Sequence, residues 1–268
     1  VKIRVGALLL TTAALIAACS SRGAPAAQPT PAPASQSATP SAIPSPEPVV
    51  ESPSPSPSPS PSPSRSPKPS PKRSSPAPKQ PDVLLEGEGT FSQTAPGGTS
   101  VAGTAGVLKQ YCVQVEDGIT TFTPASFASV VDVILADERS WIASQRWMFQ
   151  RVSTCDAADL RVRLTTPNTT DRLCASAGVD TQNQYSCRNG DNLFINLRRW
   201  TYGVPHFSSL TVYRHMVINH EAGHYLGFSH VKCPGSGQLA PVMQTQTIAL
   251  NGCQVNAFPY PDKSNYVG

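Results

Sequence analysis

The sequence predicts an α/β domain (α+β in its order of elements): a mixed β-sheet with a late helix carrying paired histidines, preceded by a disordered Pro/Ser-rich tether. Three observations carry this expectation. Of 28 prolines, 20 fall between Pro25 and Pro81, so the folding unit starts near Asp82. After that point strand-like and helix-like runs follow one another as strand, helix, several strands and a late helix, the order of a mixed sheet domain. The late run, Leu210 to Leu226, holds His220 and His224 at helical spacing.

The first 81 residues divide in two. Lys2 and Arg4 precede an apolar run from Val5 to Ala18, too short to span a bilayer comfortably and patterned as an export signal over residues 1–18. Ile16-Ala17-Ala18-Cys19 resembles a bacterial lipobox, which makes Cys19 the expected lipidation site and membrane anchor. Residues 19–81 then form the tether. Its alternating Pro and Ser from Ser52 to Ser64 favour extended polyproline II, and it is too polar to offset its own ordering entropy. Arg65, Lys68, Lys72, Arg73 and Lys79 read as a solvated stripe, with contact to anionic wall polymers as the alternative.

Charge divides at the same place. Up to Pro81 eight Lys/Arg face two acidic residues; from Asp82 on, thirteen face fifteen, so the domain itself is mildly acidic. A nucleic-acid footprint would put its basic residues on the folded module, and no nucleic-acid partner is expected. A monomer is expected.

Within residues 82–268, Val107–Val115 has the β-branched, alternating character of a strand. Thr123-Pro124 reads as an N-cap followed by proline at the first helical position, and Phe127, Val130, Val131, Ile134 and Leu135 recur at helical spacing to about Asp137. Trp147–Val152 and Leu160–Leu164 read as strands. Tyr185–Arg188 and Asn192–Asn196 flank Asn189-Gly190-Asp191, a strong hairpin signal. The sheet is expected to lie over two main helices.

The late helix contains His220-Glu221-Ala222-Gly223-His224. Histidines four apart stand one above the other on a helix face, so their nitrogens can converge on one ion. Glu221 sits one residue round from His220, near the ion without having to ligate it, where a general base beside zinc-bound water belongs. The run continues as HEAGHYLGFSH, with Gly227 and His230 in place. Chance occurrence of the extended pattern is about three per million for this composition. Gly227 can end the helix in the left-handed conformation and turn His230 back as a third ligand. Three protein ligands and an open fourth position describe a catalytic zinc site.

This pattern resembles the metzincin clan of zinc peptidases, whose motif HExxHxxGxxH is matched at every fixed position. The stretch Asp171–Cys253, with YSCRNGD, INLRRW and PVMQTQT, is similar to an actinobacterial family of secreted zincin-like domains of unknown function. The resemblance implies a zincin-like fold and one catalytic Zn2+ on His220, His224 and His230. It also implies Glu221 as the catalytic base, and a peptide lying antiparallel to an edge strand, for which Tyr185–Arg188 is the candidate. It makes Met243, in Pro241-Val-Met-Gln244, the candidate Met-turn beneath the metal; an ordinary core methionine is the alternative. Thr245 stands where astacin-like members place a zinc-ligating tyrosine.

Setting Cys19 aside leaves six cysteines, which can pair in fifteen ways. Cys174–Cys187 and Cys233–Cys253 are preferred as sequence-close pairs, leaving Cys112–Cys155 to join neighbouring strands. A thiolate ligand at Cys233 is the alternative, and export favours the disulfide. His215, five residues before His220, falls on the opposite helix face and reads as a packing residue; His206 reads as a satisfied loop histidine.

The expected function is that of an enzyme, a zinc metalloendopeptidase. It would hydrolyse peptide or protein substrates outside the cytoplasmic membrane, lipid-anchored through Cys19. The rivals are a peptidoglycan stem-peptide hydrolase acting on cell-wall peptide, and a non-catalytic wall-associated lipoprotein with a structural zinc.

Overall fold

The computed structural model describes residues 83–268; the leader (1–18), Cys19 and the tether (19–81) lie outside the described residues. In chain order the elements are β1 (Val101–Ala102), β2 (Val107–Val115), α1 (Pro124–Leu135), a 3-10 turn (Trp141–Ser144), β3 (Trp147–Arg151) and β4 (Leu160–Thr165). They continue with α2 (Pro167–Ala175), β5 (Cys187–Asn189), β6 (Asn192–Asn196), α3 (Leu197–Tyr202) and α4 (Leu210–Tyr225). Six strands form one sheet in the order β1-β3-β2-β4-β6-β5. The four inner strands run parallel, and the short edges β1 and β5 are antiparallel to their neighbours. The architecture is therefore an α/β fold with a mixed sheet.

Local chemistry explains the elements. At α1, the Thr123 hydroxyl accepts from the Ser126 N–H (3.1 Å), and the Ser126 hydroxyl accepts from the Thr123 N–H (2.9 Å). That capping box, with Pro124 in the first turn, fixes the start of the helix. Phe127, Val131, Ile134 and Leu135 are buried along its inner stripe. In β2 every residue from Tyr111 to Val115 is buried, as befits a central parallel strand covered on both faces. The segment preceding β1 also packs on β2, where the Ala95 N–H donates to the Val113 carbonyl.

The two main helices expected from the sequence are α1 and α4, and the structure adds two shorter ones, α2 and α3. Helix α2 opens with Thr166-Pro167, the same signal as Thr123-Pro124, but has no apolar stripe: its buried side chains are Pro167, Thr169, Thr170 and Cys174. Helix α3 follows β6 without a connecting loop, its start fixed by the Asn196 side chain accepting from the Arg198 N–H (3.0 Å). Six residues are too few for a periodic pattern to register. The edge strand begins at Cys187, not Tyr185, because the Tyr185 N–H closes a turn onto the Thr181 carbonyl (2.9 Å).

The start of α2 depends on one buried carboxylate. Glu116 accepts from the Thr169 hydroxyl (2.6 Å) and the Gly89 N–H (2.9 Å) at Oε1, and from the Thr166 N–H (2.7 Å) at Oε2. Glu116→Ala would leave these donors without their acceptor. A stability loss on the order of 3 kcal/mol is expected in chemical denaturation, and a loss under 1 kcal/mol would contradict this account.

Three disulfides close the domain: Cys112–Cys155, Cys174–Cys187 and Cys233–Cys253, with Cα separations of 5.2, 6.2 and 5.8 Å. They are the mark of an oxidising, extracytoplasmic compartment. Among the described residues no helix is long and apolar enough to cross a membrane.

Candidate metal centre

Helix α4 starts at Ser209, whose hydroxyl accepts from the Val212 N–H (3.3 Å). It runs through the interior, with Met216 to Gly223 buried. His220 and His224 lie one turn apart on it, their ring centroids separated by 4.7 Å. The helix ends as the sequence predicts. Gly227 has φ +96°, its N–H donates to the His224 carbonyl (3.2 Å), and the Phe228 N–H donates to the Gly223 carbonyl (2.9 Å). This pair of bonds is a Schellman motif with glycine in its left-handed position. Phe228 then stacks on Trp141 at 4.7 Å, and the Trp141 indole N–H donates to the Asn219 carbonyl (2.9 Å), so the turn is clamped to the helix that precedes it.

The turn brings His230 back. Its ring lies 5.2 Å from that of His220 and 4.7 Å from that of His224, and one ligand nitrogen from each of the three lies within 4.8 Å of the others. His220 donates from Nδ1 to the Val242 carbonyl (2.8 Å), and His224 from Nδ1 to the Phe228 carbonyl (2.9 Å). A carbonyl can only accept, so the proton of each neutral imidazole sits on Nδ1 and Nε2 presents a lone pair. His224 Nε2 and His230 Nε2 stand 3.0 Å apart, an arrangement a shared cation suits. Burial, then the neighbouring His224, pushes His220 down to about 3; burial lowers His224 and His230 as well. All three are therefore in the neutral form a metal needs.

Glu221 is buried beside them, and its Oε2 has no hydrogen-bond partner. Burial alone raises its pKa to about 8 and so favours the protonated acid; the positive charge of a metal held by the neighbouring imidazoles would favour the carboxylate. A buried carboxylate oxygen without a partner is costly, and it belongs where a ligand or a reacting group completes it.

Met243 is fully buried beneath α4, and the Gln244 N–H to Pro241 carbonyl bond (2.9 Å) closes a tight turn around it. Two carbonyls of this turn reach the histidine cluster: that of Val242 holds His220, and that of Met243 accepts from the Val231 N–H (3.2 Å), next to His230. Gly223 is the residue that lets the turn approach. A Cβ there would lie 2.6 Å from Trp141 Cζ2 and closer still to Met243 Sδ. Gly223 occupies an unspecified position of the His-Glu-x-x-His pattern, so the motif alone could not mark it.

The other sequence candidates lie elsewhere. Cys233 is joined to Cys253, so its thiolate is not available as a ligand. His215 packs against Phe258 at 5.3 Å, and His206 Nε2 hydrogen-bonds the Gln246 carbonyl (2.6 Å). His220, Glu221, His224 and His230 line one cavity of about 540 Å³, with Tyr185–Arg188 along one side and Thr245–Ile248 along another. The donor set fits a metal ion: three neutral imidazoles converge, with no carboxylate or thiolate ligand joining them among the described residues.

No curated protein and no solved structure matches the chain. Residues 77–265, which include every residue of this centre, match the family described as "Protein of unknown function (DUF3152)", and the chain belongs to that family.

Proposed function

We propose that the chain is a zinc metalloendopeptidase of metzincin type, working outside the cytoplasmic membrane on the tether and lipid anchor expected from residues 1–81. One observation carries the reading: Glu221, buried and without a partner at Oε2, shares the cavity floor with three converging imidazoles. A site that bound zinc only to hold the fold would have no use for that carboxylate. Imidazole ligands suit zinc, and three of them leave a position open.

His220, His224 and His230 would hold the ion. Bound there, Zn2+ would supply Lewis acidity to the scissile carbonyl and lower the pKa of a water ligand towards 7. Glu221 accepts the proton as the water oxygen bonds to the carbonyl carbon. It returns that proton to the amine nitrogen as the C–N bond breaks. The peptide aligns along β5. Asn189 and Asn192 flank the two-residue turn and form a hydrogen-bonded pair, so Arg188, opposite Leu193, turns its N–H and C=O to the open edge. Those groups are free to bind an added strand.

Elemental analysis of the purified full-length chain tests the reading together with cleavage of a peptide library and of purified wall material. About one zinc per chain is expected, lost in His220→Ala, His224→Ala and His230→Ala alike, with internal peptide bonds cut and cutting abolished by a chelator. Full zinc occupancy in His230→Ala would show that the Gly227 turn supplies no ligand. A zinc-loaded chain inert on both substrates would favour the structural-zinc rival, and cutting of wall material alone would favour the stem-peptide hydrolase.

A further inference from the structure

The cavity holds one cation of its own. Arg188 is the middle residue of β5 and lines the same cavity as the three histidines and Glu221. Its neighbour Cys187 is buried and tied to α2 by the Cys174–Cys187 disulfide, which holds the strand in place while the Arg188 side chain stays exposed. Six of the domain's ten arginines are committed through their side chains: Arg139 to Asp137, Arg151 to Asp132, Arg163 to Gln114 and Asn192, Arg172 to Glu86, Arg199 to the Gln184 and Gly203 carbonyls, and Arg214 to the Trp200 carbonyl. Among the described residues Arg188 makes no hydrogen bond and no ion pair. Asp180 also lines the cavity, but its Oδ1 accepts from the Gln182 N–H (2.8 Å) and it forms no ion pair with Arg188.

Resting on the peptidase reading, we propose that Arg188 is a specificity-determining residue that takes a carboxylate of the bound peptide, from an acidic side chain or the free C-terminus. The guanidinium fork matches a carboxylate bidentately. The backbone of the same residue faces the open edge, so a peptide paired there lies within reach of its side chain. The domain is acidic overall, with thirteen Lys/Arg against fifteen Asp/Glu from Asp82 onward, so a cation at the cleft is not a general property of its composition.

Fluorescence anisotropy with labelled octapeptides tests this on the full-length, zinc-loaded chain carrying Glu221→Gln, so that binding is read without turnover. The peptides are a neutral amidated one, the same with a single Glu, the same with a single Lys, and the neutral one with a free C-terminal carboxylate. At least one carboxylate-bearing peptide is expected to bind about tenfold more tightly than the neutral amide, and the gap should narrow as salt is raised. Whether the Glu peptide or the free C-terminus gains identifies the source of the carboxylate. Arg188→Glu should reverse the order so that the Lys peptide binds best. Equal binding of all four peptides, or a carboxylate preference that survives Arg188→Glu, would overturn the proposal. If the Arg188-dependent preference is found and the chain with Glu221 intact cuts none of these peptides, the carboxylate site stands and the peptidase reading falls.

Discussion

Glu221→Gln is expected to lower peptide turnover by about 10²–10⁴-fold while leaving zinc content and melting temperature close to those of the unchanged chain. The substitution preserves shape and removes only the ability to accept a proton. Glu221 Oε2 has no hydrogen-bond partner, so neither α4 nor the imidazoles depend on it for position. The three ligands are instead held by His220 on the Val242 carbonyl, His224 on the Phe228 carbonyl and the Val231 N–H on the Met243 carbonyl. Steady-state kinetics beside elemental analysis checks the expectation. Equal turnover in the two proteins would show that Glu221 is not the base.

Gly223→Ala is expected to act on the same centre from below. In an unhindered helix this change would stabilise by up to about 1 kcal/mol. Here the added methyl would meet Trp141 Cζ2 at 2.6 Å and overlap the Met243 thioether, so the sign reverses. Overpacking of this kind costs about 1–3 kcal/mol. Displacement of the turn also pulls the Val242 carbonyl from His220, and loss of such an outer partner lowers metal affinity by about 10–100-fold. Denaturant titration and competition with a chromophoric chelator would measure the two effects. A stability loss with unchanged zinc affinity would mean that the turn does not govern His220.

The centre was legible where its residues are close in sequence. His220, Glu221, His224, Gly227 and His230 fall within eleven residues, and helix geometry with one glycine turn is enough to bring them together. Residues that act through long-range packing were not legible. The Trp141 indole meets the Asn219 carbonyl across 78 positions, and Gly223 is marked only by the Met243 and Trp141 side chains it must clear. Arg188 was visible as part of an edge strand, but its freedom from partners is a property of its surroundings. Elements α2 and α3 escaped detection for a different reason: one buries threonines in place of an apolar stripe, and the other is shorter than two turns.

The disulfide connectivity carries a consequence for biosynthesis. The three pairs join residues 112 to 155, 174 to 187 and 233 to 253, so each bond closes before the next begins along the chain and none interleaves. As the domain emerges N-terminus first into an oxidising compartment, every second cysteine to appear finds its native partner as the nearest preceding free thiol. With Cys19 lipidated, an oxidant that joins thiols in order of arrival would therefore produce the native set directly, leaving no misjoined pair for an isomerase to rearrange.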